Sequence, residues 1–348
     1  MGTESLLDKV IFWFKNNKFF SIIILLAILI IAAANVFNSI DNILEKGGKL
    51  FHPASRSSLV TPGAKEKPEF GEVILKFGSE GIGPGMFHHA QSVATDGKDQ
   101  LYVGENTPGG RIQVFDFTGK FITQWNTNKE SKMGGRAIAA DRHGTVYATD
   151  EADIDRYEGE TGKSLGKVRW EEDPDFNEVK DVKTKLDGSL VVATSENLIL
   201  FDSKEQVIQT IQHAIRAHSE QETSCGHIAV DGLGNIYAIQ DYGFTIFKFS
   251  SDGTFLNRFG SQGENPGQFF GSIAIAVDGK GRVYVSDFYK GILVFESDGR
   301  YIATFNVDNH NGKAIGLIFN DRNELFVISE KTTIGSSFYQ VIKYRISD

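Results

Sequence analysis

Metal centres and nucleophilic sites are built from convergent histidine, cysteine and carboxylate side chains, and this chain of 348 residues spreads its own widely. Among its eight histidines His88 and His89 are adjacent, but His143, His213, His218, His227 and His310 stand far apart. Cys225 is the one cysteine, which excludes an intrachain disulfide and a CxxC metal site and reads as a small buried hydrophobe. No Ser-centred nucleophile motif, P-loop or dinucleotide glycine pattern stands in a strand-to-helix context. What remains is a set of residues that share a register in a repeated pattern. Gln91, Arg136, Lys180, Gly226, Ile273 and Ile315 each come just before a predicted strand, and Glu105, Asp150, Thr194, Gln240, Asp287 and Ser329 each come just after the next one. Donors, acceptors and charges of both signs, with no histidine among them, suit binding better than metal-assisted chemistry. A carboxylate-only Ca2+ site of Glu105, Asp150 and Asp287 is the one cofactor the register allows; none is otherwise expected.

The elements that must position these residues repeat about every 45 residues from position 70 onward. VATDGKDQLYV (93–103), IAADRHGTVYA (138–148), VKTKLDGSLVV (182–192), IAVDGLGNIYA (228–238), IAVDGKGRVYV (275–285) and LIFNDRNELFV (317–327) each place two β-branched or aromatic runs around a Gly- or Asn-containing turn, which is a hairpin signature. A third and fourth strand follow, clearest in 111–125, 245–259 and 291–305. Four strands per repeat predict the blades of an all-β propeller, six in number. The last repeat stops after a third strand, QVIKYRIS (340–347), while EVILKF (72–77) precedes the first hairpin. The N-terminal strand is therefore expected to complete the final blade and close the ring, hiding two sheet edges. In such a ring the first strand of each blade lines a central channel, and both register groups meet at one of its mouths.

FGSEGIGPGMF (77–87) and FGSQGENPGQF (259–269) share Gly, Pro-Gly and Phe spacing, and with IAVDGLGNIY and IAVDGKGRVYVSD they resemble the linkers and core of the NHL-repeat propellers. The resemblance covers 71–348, strongly in blades one, four and five and faintly in the others. It implies a six-bladed propeller of the NHL type. Most members of that family are interaction modules and a few are lyases, so the resemblance fixes the fold better than the function.

Ahead of the propeller, Phe19–Phe37 (FFSIIILLAILIIAAANVF) carries no charge and spans about 28 Å as a helix, enough for a single membrane crossing. A cleaved signal peptide, with Ala32-Ala33-Ala34 as the cut, is the competing reading. Lys9, Lys15 and Lys18 before the span against Lys46 and Lys49 after it favour a propeller on the extracytoplasmic side. The expected organisation is an interfacial segment at 1–18, a transmembrane helix at 19–37, a juxtamembrane helix and stalk at 38–69, and the propeller at 70–348. Residues 70–348 hold 28 basic and 39 acidic side chains, a net charge of −11, which disfavours nucleic acid as a partner. Protein or peptide binding fits better. Tyr242, Phe244, Phe288 and Tyr289 follow the second strands of blades four and five, Phe269-Phe270 precede blade five, and Trp170, Pro174 and Phe176 lie in the linker into blade three. Aromatic groups beside Arg136 and Lys180 have the composition of interface hot spots, unless they pack between blades. The expected function is a membrane-anchored scaffold or assembly subunit that captures a protein or peptide at the channel mouth through Gln91, Glu105, Arg136, Asp150, Lys180, Gln240, Tyr242, Asp287, Phe288 and Tyr289. The alternative is a metal-dependent lyase or lactonase-like enzyme with its site in the channel.

Overall fold

The computed structural model describes residues 70–347 except 128–135, 151–152, 170–177, 220–223, 309–311 and 334–335. The chain divides into two units, Met1–Glu66 and Lys67–Asp348, and the described residues all belong to the second. The predicted transmembrane helix, its flanks and the stalk lie outside the described residues, as do Trp170, Pro174, Phe176 and His310. Among the described residues no helix is long and apolar enough to cross a membrane.

The repeats fold as anticipated into six four-stranded antiparallel sheets among the described residues. Blade one is Ala90–Thr95, Gln100–Glu105, Arg111–Asp116 and Phe121–Asn126, in spatial as in chain order. The first strands of the other blades are Ile138–Ala140, Val179–Thr184, His227–Val230, Ser272–Val277 and Lys313–Phe319. Each packs beside the first strand of the next blade, and that of blade six returns to that of blade one, so the ring is closed. The inner strands read as nearly continuous apolar runs because both faces of every blade are covered by a neighbour. Six separate apolar cores result, one at each junction between adjacent blades. Cys225 is buried in the core between blades three and four, and burial pushes its thiol far up, as a small hydrophobe requires.

Five of the six hairpin turns owe their shape to one repeated residue, and blade three has Lys185 in its place. Asp96, Asp141, Asp231 and Asp278 each accept hydrogen bonds from backbone N–H groups two and four residues ahead, and Asn320 does the same in blade six. Closure also follows the expectation. Gly71–Phe77 pairs antiparallel with Ser336–Ile346 as the outer strand of blade six, from Gly71 opposite Ile346 to Phe77 opposite Val341. The third strand of that blade starts four residues before the predicted position, at Ser336, and its second strand runs to Thr333. Lys331–Thr333 therefore pairs with Ser336–Phe338 beyond Lys313, where the inner strand stops opposite Glu330.

The two glycine-rich linkers adopt the same local structure. Ser79–Glu80 pairs in parallel with Met86–Phe87, and Ser261–Gln262 with Gln268–Phe269. Gly78 and Gly260 take φ of 97° and 89°, and a Cβ at either would lie 2.2 Å or 2.7 Å from the ring of buried Phe87 or Phe269. Only glycine fits there.

Candidate functional site

A cavity of about 420 Å3 opens at the end of the channel where the blades begin. All six residues of the first register group line it: Gln91, Arg136, Lys180, Gly226, Ile273 and Ile315. Their placement has a common cause in four blades. The pairing of first and second strands skips one residue between Ala90 and Ser92, Val179 and Asp181, Ser272 and Ala274, and Ala314 and Gly316. The skipped residues are Gln91, Lys180, Ile273 and Ile315. A β-bulge leaves its extra residue outside the ladder and re-aims the side chain, here into the channel mouth.

The second register group does not line the cavity, and this corrects the sequence reading. Glu105 is buried; its carboxylate takes 2.8 Å hydrogen bonds from Arg111 Nη2 and Gln113 Nε2. Arg111 in turn donates to the carbonyls of Ile82 and Met86 in the first glycine-rich linker. Burial pushes the Glu105 carboxyl above its ordinary range although Arg111 and Gln113 pull the other way. Asp287 holds the equivalent linker of blade five: Oδ2 accepts from the N–H of Phe270 at 2.6 Å and Gly271 at 2.9 Å, and Oδ1 from Tyr289 at 2.9 Å and Lys290 at 3.0 Å. Thr194 and Ser329 are buried, while Asp150 and Gln240 are half-buried. Glu105, Asp150 and Asp287 thus sit in three blades, two of them fully engaged. Among the described residues no group of three or more His, Cys, Asp or Glu is placed to hold a metal ion.

In two blades the sequence reading was one residue short. Asn106 and Asp241, each one position beyond its register residue, do face the cavity, together with Glu178, His227, His89 and Tyr339. Glu178 joins the two cations of the first group: Arg136 and Lys180 each reach one of its oxygens, the latter at 2.6 Å. Opposite them His227 stands between two carboxylates, with Nδ1 3.6 Å from Asp181 and Nε2 3.6 Å from Asp241. Asp181 is buried and also takes the N–H of Val182 at 2.8 Å, the N–H of Ile228 at 3.0 Å, and the Lys183 ammonium. Burial opposes its ionisation, but Lys183 and His227 outweigh burial and hold the carboxyl at about 2. Gly226 leaves room for this arrangement, since a Cβ there would come within 2.3 Å of Asp241 Oδ1. Below the cavity the channel narrows to a neck of about 40 Å3 between Val93, Ile138, Ile275 and Leu317, with Lys183 and Asp181 in its wall.

One side of the mouth carries aromatic rings. Tyr242, Phe288, Tyr289 and Phe270 follow one another with centroids 6.3, 4.9 and 5.8 Å apart. Tyr242 and Tyr289 are 66% and 76% exposed and Phe270 is 40% exposed, whereas Phe269 is buried between blades and Phe244 is half-buried. Tyr242 is held in the left-handed region at φ 55°, its N–H on the carbonyl of Ser272. Tyr242, Tyr289 and Phe270 therefore lie outside the cores between blades.

No protein-family model matches the chain, and no curated protein matches it in sequence. Among solved structures the chain is similar to the WD40 β-propeller domain of Doa1, with a TM-score of 0.52 and 12% identity over 76% of this chain and 81% of that one. A likeness at that identity concerns the fold alone, a β-propeller, and leaves the NHL type without a matching family model.

Proposed function

We propose that this chain is a membrane-anchored scaffold: residues 19–37 hold it at a membrane, and the propeller, on the extracytoplasmic side, captures a protein or peptide on the face that carries the cavity. The observation that carries the reading is the run of rings from Tyr242 to Phe270, exposed except for half-buried Phe288, beside the cavity. Large rings on loops that are already ordered lose little entropy on binding, and interfaces concentrate their energy in such groups. The apolar run at 19–37 supports the anchor, and the two matching glycine-rich linkers support assignment to the NHL type. The net charge of −11 on residues 70–348 argues against a nucleic-acid partner.

The test is photo-crosslinking from defined positions in the full chain in cells. A photoreactive phenylalanine at Tyr242 or Tyr289 should yield discrete protein adducts, and one at Arg142 or Lys280 in the far-side hairpin turns should not. Adducts only from the far side would refute the assignment of the face. Absence of adducts from every position would refute the scaffold reading itself.

A further inference from the structure

The rim of rings also carries two lysines. The Lys313 ammonium lies 3.8 Å from the centroid of Phe288, and that of Lys290 lies 5.0 Å from the centroid of Phe270. Lys290 donates to the carbonyls of Gly263, Asn265 and Gln268, and neither lysine forms an ion pair with a carboxylate among the described residues. Elsewhere on this domain acidic groups exceed basic ones, for a net of −11 over residues 70–348. The rim thus sets two lysines against aromatic rings on an acidic body, with the nearby Asp287 carboxylate already engaged by four backbone N–H groups, and Lys313 offers an acidic ligand a cation to meet.

The rim is also fixed before any partner arrives. Asp287, through its four backbone hydrogen bonds, ties the loop bearing Phe270 to the loop bearing Tyr289, and Phe288 N–H bonds to the carbonyl of Gly271. Asp287 is therefore a positioning residue for the rings. We propose that the rim recognises an extended protein segment in which an Asp or Glu stands within a residue or two of an aromatic or large aliphatic side chain. The apolar side chain packs on Tyr242, Phe288 and Tyr289, and the carboxylate meets Lys313. This inference rests on the reading of the propeller as a protein-binding scaffold and specifies the partner's chemistry.

Selection of a random peptide library displayed on phage against the full chain in detergent tests both levels separately. Enriched peptides should combine acidic and aromatic or aliphatic residues. They should bind Tyr289→Ala and Tyr242→Ala about 30-fold or more weakly at unchanged melting temperature, and their affinity should fall with added salt. Lys313→Glu should select against acidic residues. Peptides that are enriched but basic, or that bind the tyrosine variants as well as the parent, would overturn the rim chemistry and leave the scaffold reading standing. No enrichment on the parent chain would overturn both.

Discussion

Glu105 is the residue on which the sequence reading and the structure disagree most sharply, and replacing it decides between them. As a partner-facing carboxylate at a channel mouth it would be nearly silent in stability and important in binding. In the structure it is 1% exposed and grips Arg111, whose own side chain braces the linker at Ile82 and Met86. Glu105→Ala leaves a buried guanidinium without its carboxylate, a change that costs about 3–5 kcal/mol when nothing else compensates. The two linker carbonyls keep part of the Arg111 charge solvated, so the lower end, about 3 kcal/mol, is expected. At roughly 2 °C per kcal/mol for a domain of this size, the melting temperature should drop by about 6 °C.

A double-mutant cycle sharpens the test. Arg111→Met alone leaves a buried carboxylate, while Glu105→Ala with Arg111→Met leaves neither charge, so the double variant should be more stable than the sum of the singles by about 1.5 kcal/mol or more. Thermal and urea melts of the four proteins give the numbers, and partner capture at a temperature where all are folded gives the second readout. A Glu105→Ala protein within about 1 kcal/mol of the parent that had nonetheless lost its partner would refute the clamp and restore the sequence reading.

Three further outcomes are expected. Deleting Glu72–Phe77 removes the outer strand of blade six and exposes the edge of Ser336–Ile346, so size-exclusion chromatography should show aggregate in place of a single species. Asp181 falls from an unfolded value of 3.8 to about 2, so its ionised form adds roughly 2 kcal/mol of stability that is present above about pH 4 and lost as the pH falls towards 2; urea melts stepped down through that window should lose this increment in the parent and lack it in Asp181→Asn. The full chain should remain in the membrane pellet after alkaline carbonate washing, and release of a soluble product cut after Ala34 would point to a signal peptide instead.

The ring was legible because each blade declares itself locally. A hairpin with Asp at its turn, such as Asp231 or Asp278, needs no distant contact to be recognised, and the stray strand at 72–77 had one vacancy to fill. The first register group was legible for the same reason, although the bulges that aim Gln91, Lys180, Ile273 and Ile315 inward left no mark in composition. In two blades the second group missed the cavity by a single residue. Glu105 and Asp287 end their strands turned towards the linkers, while Asn106 and Asp241, in the loops just past strand ends, reach the cavity. His227 stands next to register residue Gly226 and His89 two positions before Gln91, and neither spacing by itself marks a cavity residue. Their place in the cavity depends on where blades four and one stand in the ring, which is tertiary information.

The division of labour between the two ends of the channel follows from the repeat itself. At the far end five of the six blades use one kind of turn, and blade three has Lys185 at the equivalent position. Asp96, Asp141, Asp231 and Asp278 each fold a single turn, and Asn320 substitutes with the same geometry. At the cavity end a single register position is occupied by Gln, Arg, Lys, Gly, Ile and Ile in turn. That variation turns a symmetric opening into one with an ionic wall at Arg136, Glu178 and Lys180, an imidazole between two carboxylates at His227, and an aromatic rim at Tyr242. Specificity requires such asymmetry, because a ligand can be oriented only by groups that differ around the ring. At the cavity end that varied register position coincides with the bulges of the first strands in four blades, and Tyr242 stands beside it in the left-handed region.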